Sequence, residues 1–126
     1  MERIIRVGGK NVRMRASALI PRLYRFKFGR DLIKDMATLK RAYEKASSLP
    51  EGATEEERED AQFSALDLTI FENVAYIMAK HADKNVPDTP EEWLDRFDMF
   101  SIYQVLPQIL VLWNLGTVTT SKPKKK

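Results

Sequence analysis

The chain has no cysteine, one histidine, five glycines and six prolines in 126 residues. Without cysteine there is no disulfide framework, no thiolate nucleophile and no thiolate-bound metal. With a single histidine, His81, a cluster of imidazole ligands is excluded. So little glycine and proline argues against a loop-rich or unstructured chain. No run approaches the ~18 consecutive apolar residues of a membrane-crossing helix. The opening residues Met1-Glu2-Arg3-Ile4-Ile5-Arg6 interrupt their apolar members with charge, unlike the core of a secretory leader. The expectation is a cytoplasmic protein that does not enter a membrane.

What is present is ordinary globular material, 44% hydrophobic and 31% charged, and long enough for one domain with a real core. The net charge of +3 conceals a polarised chain. Residues 1–45 carry 13 Lys and Arg against 4 Asp and Glu; residues 46–121 carry 4 against 14; the ending Lys-Pro-Lys-Lys-Lys is purely basic. Such a chain can fold one half on the other, bind a second copy head to tail, or offer each half to a different partner. Solvated helix faces of differing composition would read the same way.

Apolar β-formers on either side of Gly8-Gly9-Lys10-Asn11 predict a β-hairpin over about residues 3–16. A hairpin alone is marginal in water, so it must pack on the body or extend a partner's sheet. Ser17 as cap, Pro21 in the first turn and Gly29 as stop predict a short helix, with Leu19, Leu23 and Phe26 on its core side. Leu32, Met36, Leu39 and Tyr43 recur at helical spacing after Asp31. Ser47 to Ala53 breaks the pattern. Thr54 and Glu57 form a capping-box pattern at the head of one helix that runs to about His81, apolar on most sides past Gln62. Thr89 and Pro90 open the next helix, with Trp93, Leu94 and Phe97 inward. In the apolar stretch from Met99, Pro107 is expected to kink or restart the helix near Leu106, and Gly116 to end it. The fold class is therefore mainly α: a small bundle of about five helices with an N-terminal β-hairpin, one domain over 1–116, and a disordered basic tail over 117–126.

Recognisable chemistry is scarce. His81 has no partner acid at helical spacing and no marked nucleophile, and reads as a helix-end residue near the last carbonyls. Glu55, Glu56, Glu57, Glu59 and Asp60 crowd a helix start, where the dipole favours them, and lack calcium-loop spacing. Gly8-Gly9 lacks the Gly-Lys-Ser/Thr ending of a phosphate loop. No cofactor, no metal site and no catalytic residue is expected. The stretch Leu19 to Leu32 stands out for Arg22, Arg25, Lys27 and Arg30 among Tyr24, Phe26 and Phe28. Cations with interleaved aromatics could hold nucleic acid. The absence of a helix-turn-helix, zinc-finger or RNA-recognition signature and the acidic second half favour carboxylates over phosphates as their partners.

The blocks "ALIPRLYRFKFGRDLIKDM", "LDLTIFENVAYIMAKHAD" and "PEEWLDRFDMFSIYQVLPQILVLWN", followed by the lysine-rich end, resemble the tail assembly chaperones of long-tailed bacteriophages and prophages of Gram-positive hosts. The resemblance spans nearly the whole chain and rests on structural blocks, not catalytic motifs. It implies a non-enzymatic protein of the host cytoplasm that coats the tape measure protein, keeps it soluble and helps recruit tail tube subunits. It also implies a longer product, made by a change of reading frame near the lysine-rich end, through which the major tail tube protein would be met. An ordinary solubilising tail accounts for those lysines equally well. On this reading the handles are Ile102, Val105, Leu112 and Trp113 of the last helix, with plain core packing as the competing role. Arg22, Arg25, Lys27 and Arg30 would pair with Glu55, Glu56, Glu59 and Asp60 of a neighbouring copy. The alternative is a small nucleic-acid-binding regulator using the basic N-terminal half.

Overall fold

The computed structural model describes residues 1–60 and 62–121; the side chains of 59, 60 and 115–121 are outside the described set. Two strands, β1 (Glu2–Val7) and β2 (Lys10–Arg15), are followed by α1 (Ile20–Phe28), α2 (Leu32–Ser47), α3 (Glu55–Asp60), α4 (Ala65–Ala82), α5 (Pro90–Leu94) and α6 (Ile102–Ser121). The fold is mainly α with an antiparallel N-terminal hairpin, as the sequence predicts.

Val7 pairs with Lys10, so the hairpin turn is Gly8-Gly9 alone. Both glycines have positive φ, 53° and 88°, the geometry that matches the twist of a two-residue hairpin. Gly8 also lies so close to the segment between α5 and α6 that an added Cβ would sit 2.3 Å from the Met99 carbonyl oxygen. Ile5, Val7, Met14 and Ala16 face the core. The outer edge of β1 is closed by α6: Gln108 accepts from the Arg6 N–H (3.0 Å) and donates to the Arg6 carbonyl (3.1 Å), and Gln104 accepts from the Gly8 N–H (2.9 Å). Two glutamine amides thus stand where another strand's backbone would be.

α4 is the central element. Ile70, Phe71 and every residue from Val74 to Ala79 are buried, and β2, α1, α2, α5 and α6 pack around it. Tyr76 is 1% exposed; its hydroxyl donates to the Pro87 carbonyl at 2.6 Å. A ring cluster of Phe71, Tyr76, Trp93, Phe97 and Phe100 fills the space towards α5, with neighbouring centroids 5.1–6.0 Å apart.

Three helix boundaries differ from expectation. The single helix from Thr54 to His81 is two. The Thr54–Glu57 box forms (Glu57 N to Thr54 Oγ1, 3.1 Å), but Ser64 and Asp67 make a second box, Asp67 N to Ser64 Oγ at 3.0 Å and Ser64 N to Asp67 Oδ2 at 3.1 Å. A cap holds its residue out of helical conformation, so α4 starts at Ala65. In α1, Leu19 and not Ser17 is the cap, and no side chain bonds the first turn. In α6, Pro107 lies inside a helix that does not restart at Leu106, and the helix passes Gly116 to Ser121. Pro107 removes one donor, that to the carbonyl of Tyr103, a residue 60% exposed where water can serve. Of the expected tail, residues 117–121 are the last turns of α6 and 122–126 lie outside the described residues. Among the described residues, no helix is long and apolar enough to cross a membrane.

Candidate interaction surface

α1 turns towards the core with Ile20 and Tyr24, both fully buried, and with Leu23 and Phe28 packed partly against it. The expected inward set is therefore corrected. Leu19 is 44% exposed and Phe26 75% exposed. A helix this short cannot bury every side of itself, and the side that carries Ile20 and Tyr24 is the one turned inward. Leu19, Leu23 and Phe26 instead line one wall of an open cleft of about 590 Å³, with Tyr76, Ile77 and His81 of α4 opposite. Gly29 ends α1 in the left-handed conformation, φ 68°, its N–H on the Arg25 carbonyl at 2.8 Å.

The orientation of α1 is set by a polar contact beneath it. Asp35 is 4% exposed on the inner face of α2. It accepts from the Tyr24 hydroxyl at 2.6 Å, and from Arg30 Nε and Nη2 at 2.8 and 3.0 Å. Burial pushes the Asp35 carboxyl up; the bonds from Arg30 and Tyr24 and the Arg30 charge outweigh it, so its pKa falls below the usual carboxylate value. Burial, with the Asp35 carboxylate beside it, raises the pKa of the Tyr24 phenol. This triad ties α1, the Gly29 turn and α2 together.

The basic set divides accordingly. Arg30 is paired with Asp35 within the chain, its side chain still 43% exposed. Lys27 donates to the Asp88 carbonyl at 2.5 Å and lies 5.7 Å from the Tyr76 ring centroid, on the cleft rim. Lys80, also on the rim, bonds the Val86 carbonyl at 2.6 Å and the Asp88 carboxylate at 3.1 Å. Arg22 stacks on Phe26, 5.4 Å from its centroid. Arg25 is exposed and makes no ion pair with another described residue. α1 contains no acid.

The expected handles of α6 are interior. Ile102 is 5% exposed and Val105 and Leu112 are fully buried; Trp113 is half-buried against the same core. Their apolar side chains pack in the core, which is the competing role named for them. Glu55 and Glu56 are exposed at the start of α3; the side chains of Glu59 and Asp60 lie outside the described residues. No ion pair joins the basic set to the acids of α3 among the described residues. Beside α3, Leu66 is 55% exposed, and Phe63 meets the exposed Tyr103 edge-on at 5.5 Å. Leu66 and Phe63 lie at the N-terminal end of α4, which α3 precedes in the chain, and Leu66 is roughly 16 Å along the helix from Ile77 in the cleft.

His81 does not bond the carbonyls of its own helix. Its Nε2 lies 3.0 Å from Ser17 Oγ, which also accepts from the Leu19 N–H at 3.2 Å. A serine and histidine in contact suggest a nucleophile and base, but no carboxylate among the described residues orients the imidazole. With Leu19 on its oxygen, the hydroxyl shapes the turn into α1. Burial, then the charges of Arg15 and the N-terminal ammonium, hold the His81 pKa below its ordinary value. Among the described residues, no three His, Asp or Glu side chains are placed to hold a metal ion. Compared with protein-family models, curated proteins and solved structures, the chain matches none.

Proposed function

We propose that this protein is a non-enzymatic assembly chaperone that holds an amphipathic helical polypeptide against α1, as expected for a bacteriophage tail assembly chaperone acting on the tape measure protein in the host cytoplasm. One observation carries the reading: Leu19, the cap of α1, and Phe26 stand exposed seven residues apart, beside a cleft of about 590 Å³ and with Arg22 and Arg25 on the same helix. Apolar side chains at that spacing match the stripe of an incoming helix, and the cations match acids along its flanks. Binding the exposed form of a long helical chain lowers the fraction free to aggregate. Assistance to the tail tube, directly or through a frame-shifted longer product, extends the same role.

The chain also self-associates on this reading. The basic, apolar surface of α1 and the acidic, apolar surface at the head of α4 are complementary and lie at opposite ends of one helix. A contact between them is head to tail and propagates along a bound chain. Light scattering against ionic strength tests it: particle size falls as salt rises, because exposed charges are screened beyond about 8–10 Å at 0.1–0.15 M. A size that ignores salt removes the charge-paired assembly.

The nucleic-acid reading draws on Arg22 stacked over the exposed Phe26, a pairing that also suits an unstacked base. It weakens because Arg30 and Lys27 are already engaged. A shift of RNA or DNA at low salt that disappears with Arg22→Gln and Arg25→Gln would favour it.

A further inference from the structure

A second cleft, of about 310 Å³, lies on the hairpin side of the molecule between β2 and α5. It does not rest on the polypeptide-binding reading above. Its rim carries Lys10, Arg13 and Arg96, and its apolar lining includes Val12, Trp93 and Phe97. Lys10 is held in place by donating to the Arg96 carbonyl at 3.0 Å, with its ammonium 5.9 Å from the Phe97 centroid. Arg13 is braced by the Ala82 carbonyl at 3.2 Å and by Glu2 at 3.5 Å. The Arg96 side chain bonds no other described residue and is exposed. Asp83 is the one acid on the lining, and one of its carboxylate oxygens already accepts from the Asn85 N–H at 3.0 Å.

Trp93 adds the second observation. It is 2% exposed, and its indole N–H donates to none of the described residues. Among those residues no fully enclosed side-chain nitrogen or oxygen lacks a partner. The N–H therefore keeps a little access to solvent, and this cleft is the described opening that Trp93 lines. Three cations and an indole donor outnumber the side-chain acceptors of the lining, the Asp83 carboxylate and the Asn11 amide oxygen, and the latter already accepts from Arg6 at 3.0 Å. An inorganic anion would satisfy the donors and leave the apolar walls wet.

We propose that this cleft binds an organic carboxylate: the oxyanion meets Arg96, Lys10 and Arg13, and an apolar body lies against Phe97 and Val12. The carboxylate is either that of a small free acid or the C-terminus of a polypeptide. The test uses the two indole N–H signals in a ¹H–¹⁵N spectrum, assigned with Trp113→Phe. Benzoate, acetate and chloride are titrated at matched ionic strength, as is a short peptide ending in phenylalanine, with and without a C-terminal amide. The Trp93 signal is expected to move saturably with benzoate, more weakly with acetate, and not with chloride. Arg96→Gln and Lys10→Gln should each weaken binding about tenfold, the effect of one charge-assisted bond. Tighter binding of the free-acid peptide than of benzoate identifies the polypeptide source, and the reverse order the small acid. Equal responses to benzoate and chloride, or an Arg96→Gln protein that titrates like the unaltered one, would overturn the proposal.

Discussion

Replacing Asp35 tests the contact that orients α1, and its size can be worked from the geometry. Asp35→Ala leaves the buried Tyr24 hydroxyl without its acceptor, at about 1–3 kcal/mol, and removes a carboxylate bonded at 2.6, 2.8 and 3.0 Å. The Arg30 side chain is 43% exposed and returns to water, so its lost ion pair adds little. The expected total is about 2–4 kcal/mol. Tyr24→Phe deletes the hydroxyl and leaves the carboxylate with Arg30, and should cost about 1.5 kcal/mol, the low end for a bond to a charged group. Because both changes remove the same bond, the double variant should fall short of their sum by about 1–2 kcal/mol. Urea unfolding followed by circular dichroism reads all three. The sign with pH also follows. The Asp35 pKa is lower folded than unfolded, so its contribution is present above about pH 4 and is lost as pH falls through the folded value. Asp35→Asn should flatten that acid limb. Costs below about 0.5 kcal/mol for both single variants, or strict additivity, would refute the reasoning.

Gly8→Ala forces a positive φ on a residue with a Cβ and drives that atom into the Met99 carbonyl. It should destabilise by about 2 kcal/mol or more in the same urea assay, whereas Gly9→Ala, with open space around it, should cost only the backbone strain. His81 titrates below its unfolded value of 6.5. Its contribution is therefore complete above pH 6.5 and is lost as pH drops towards the folded pKa, and His81→Gln should remove that part of the stability–pH slope.

Much of this fold was legible because its signals are local. Gly8-Gly9 set the hairpin and Gly29 stopped α1 through positive φ, which few other residues permit, and Asp31 capped α2 with a side-chain oxygen on two backbone N–H groups. Thr89 opened α5 by accepting from the Glu92 N–H, with Pro90 suited to the first helical position. The split between α3 and α4 was also written, as Ser64 and Asp67 three apart, but the apolar stripe starting at Phe63 overshadowed it. The candidate surface was half legible. The basic character of α1 is visible in composition, but which of Leu19, Ile20, Leu23, Tyr24 and Phe26 turn inward depends on where α4 and α2 lie, a tertiary fact. Asp35 offered a signal that went unread: it occupies the apolar stripe Leu32, Met36, Leu39 at helical spacing, where a carboxylate must find partners. Those partners are Tyr24 and Arg30, so one of the four cations is paired within the chain. The α6 residues expected as handles illustrate the opposite case, since an apolar pattern cannot distinguish a core face from a binding face.

The most direct test of polypeptide binding through α1 is Phe26→Glu. The residue is 75% exposed, so the fold should lose little, with the urea midpoint nearly unchanged. Burying most of its ~200 Å² in a partner is worth about 3–4 kcal/mol before ordering costs. Co-expressed with the tape measure chain, the unaltered protein should keep that chain in the soluble fraction on sedimentation, and the Phe26→Glu protein should not. Equal solubility of the partner with both proteins would contradict the account.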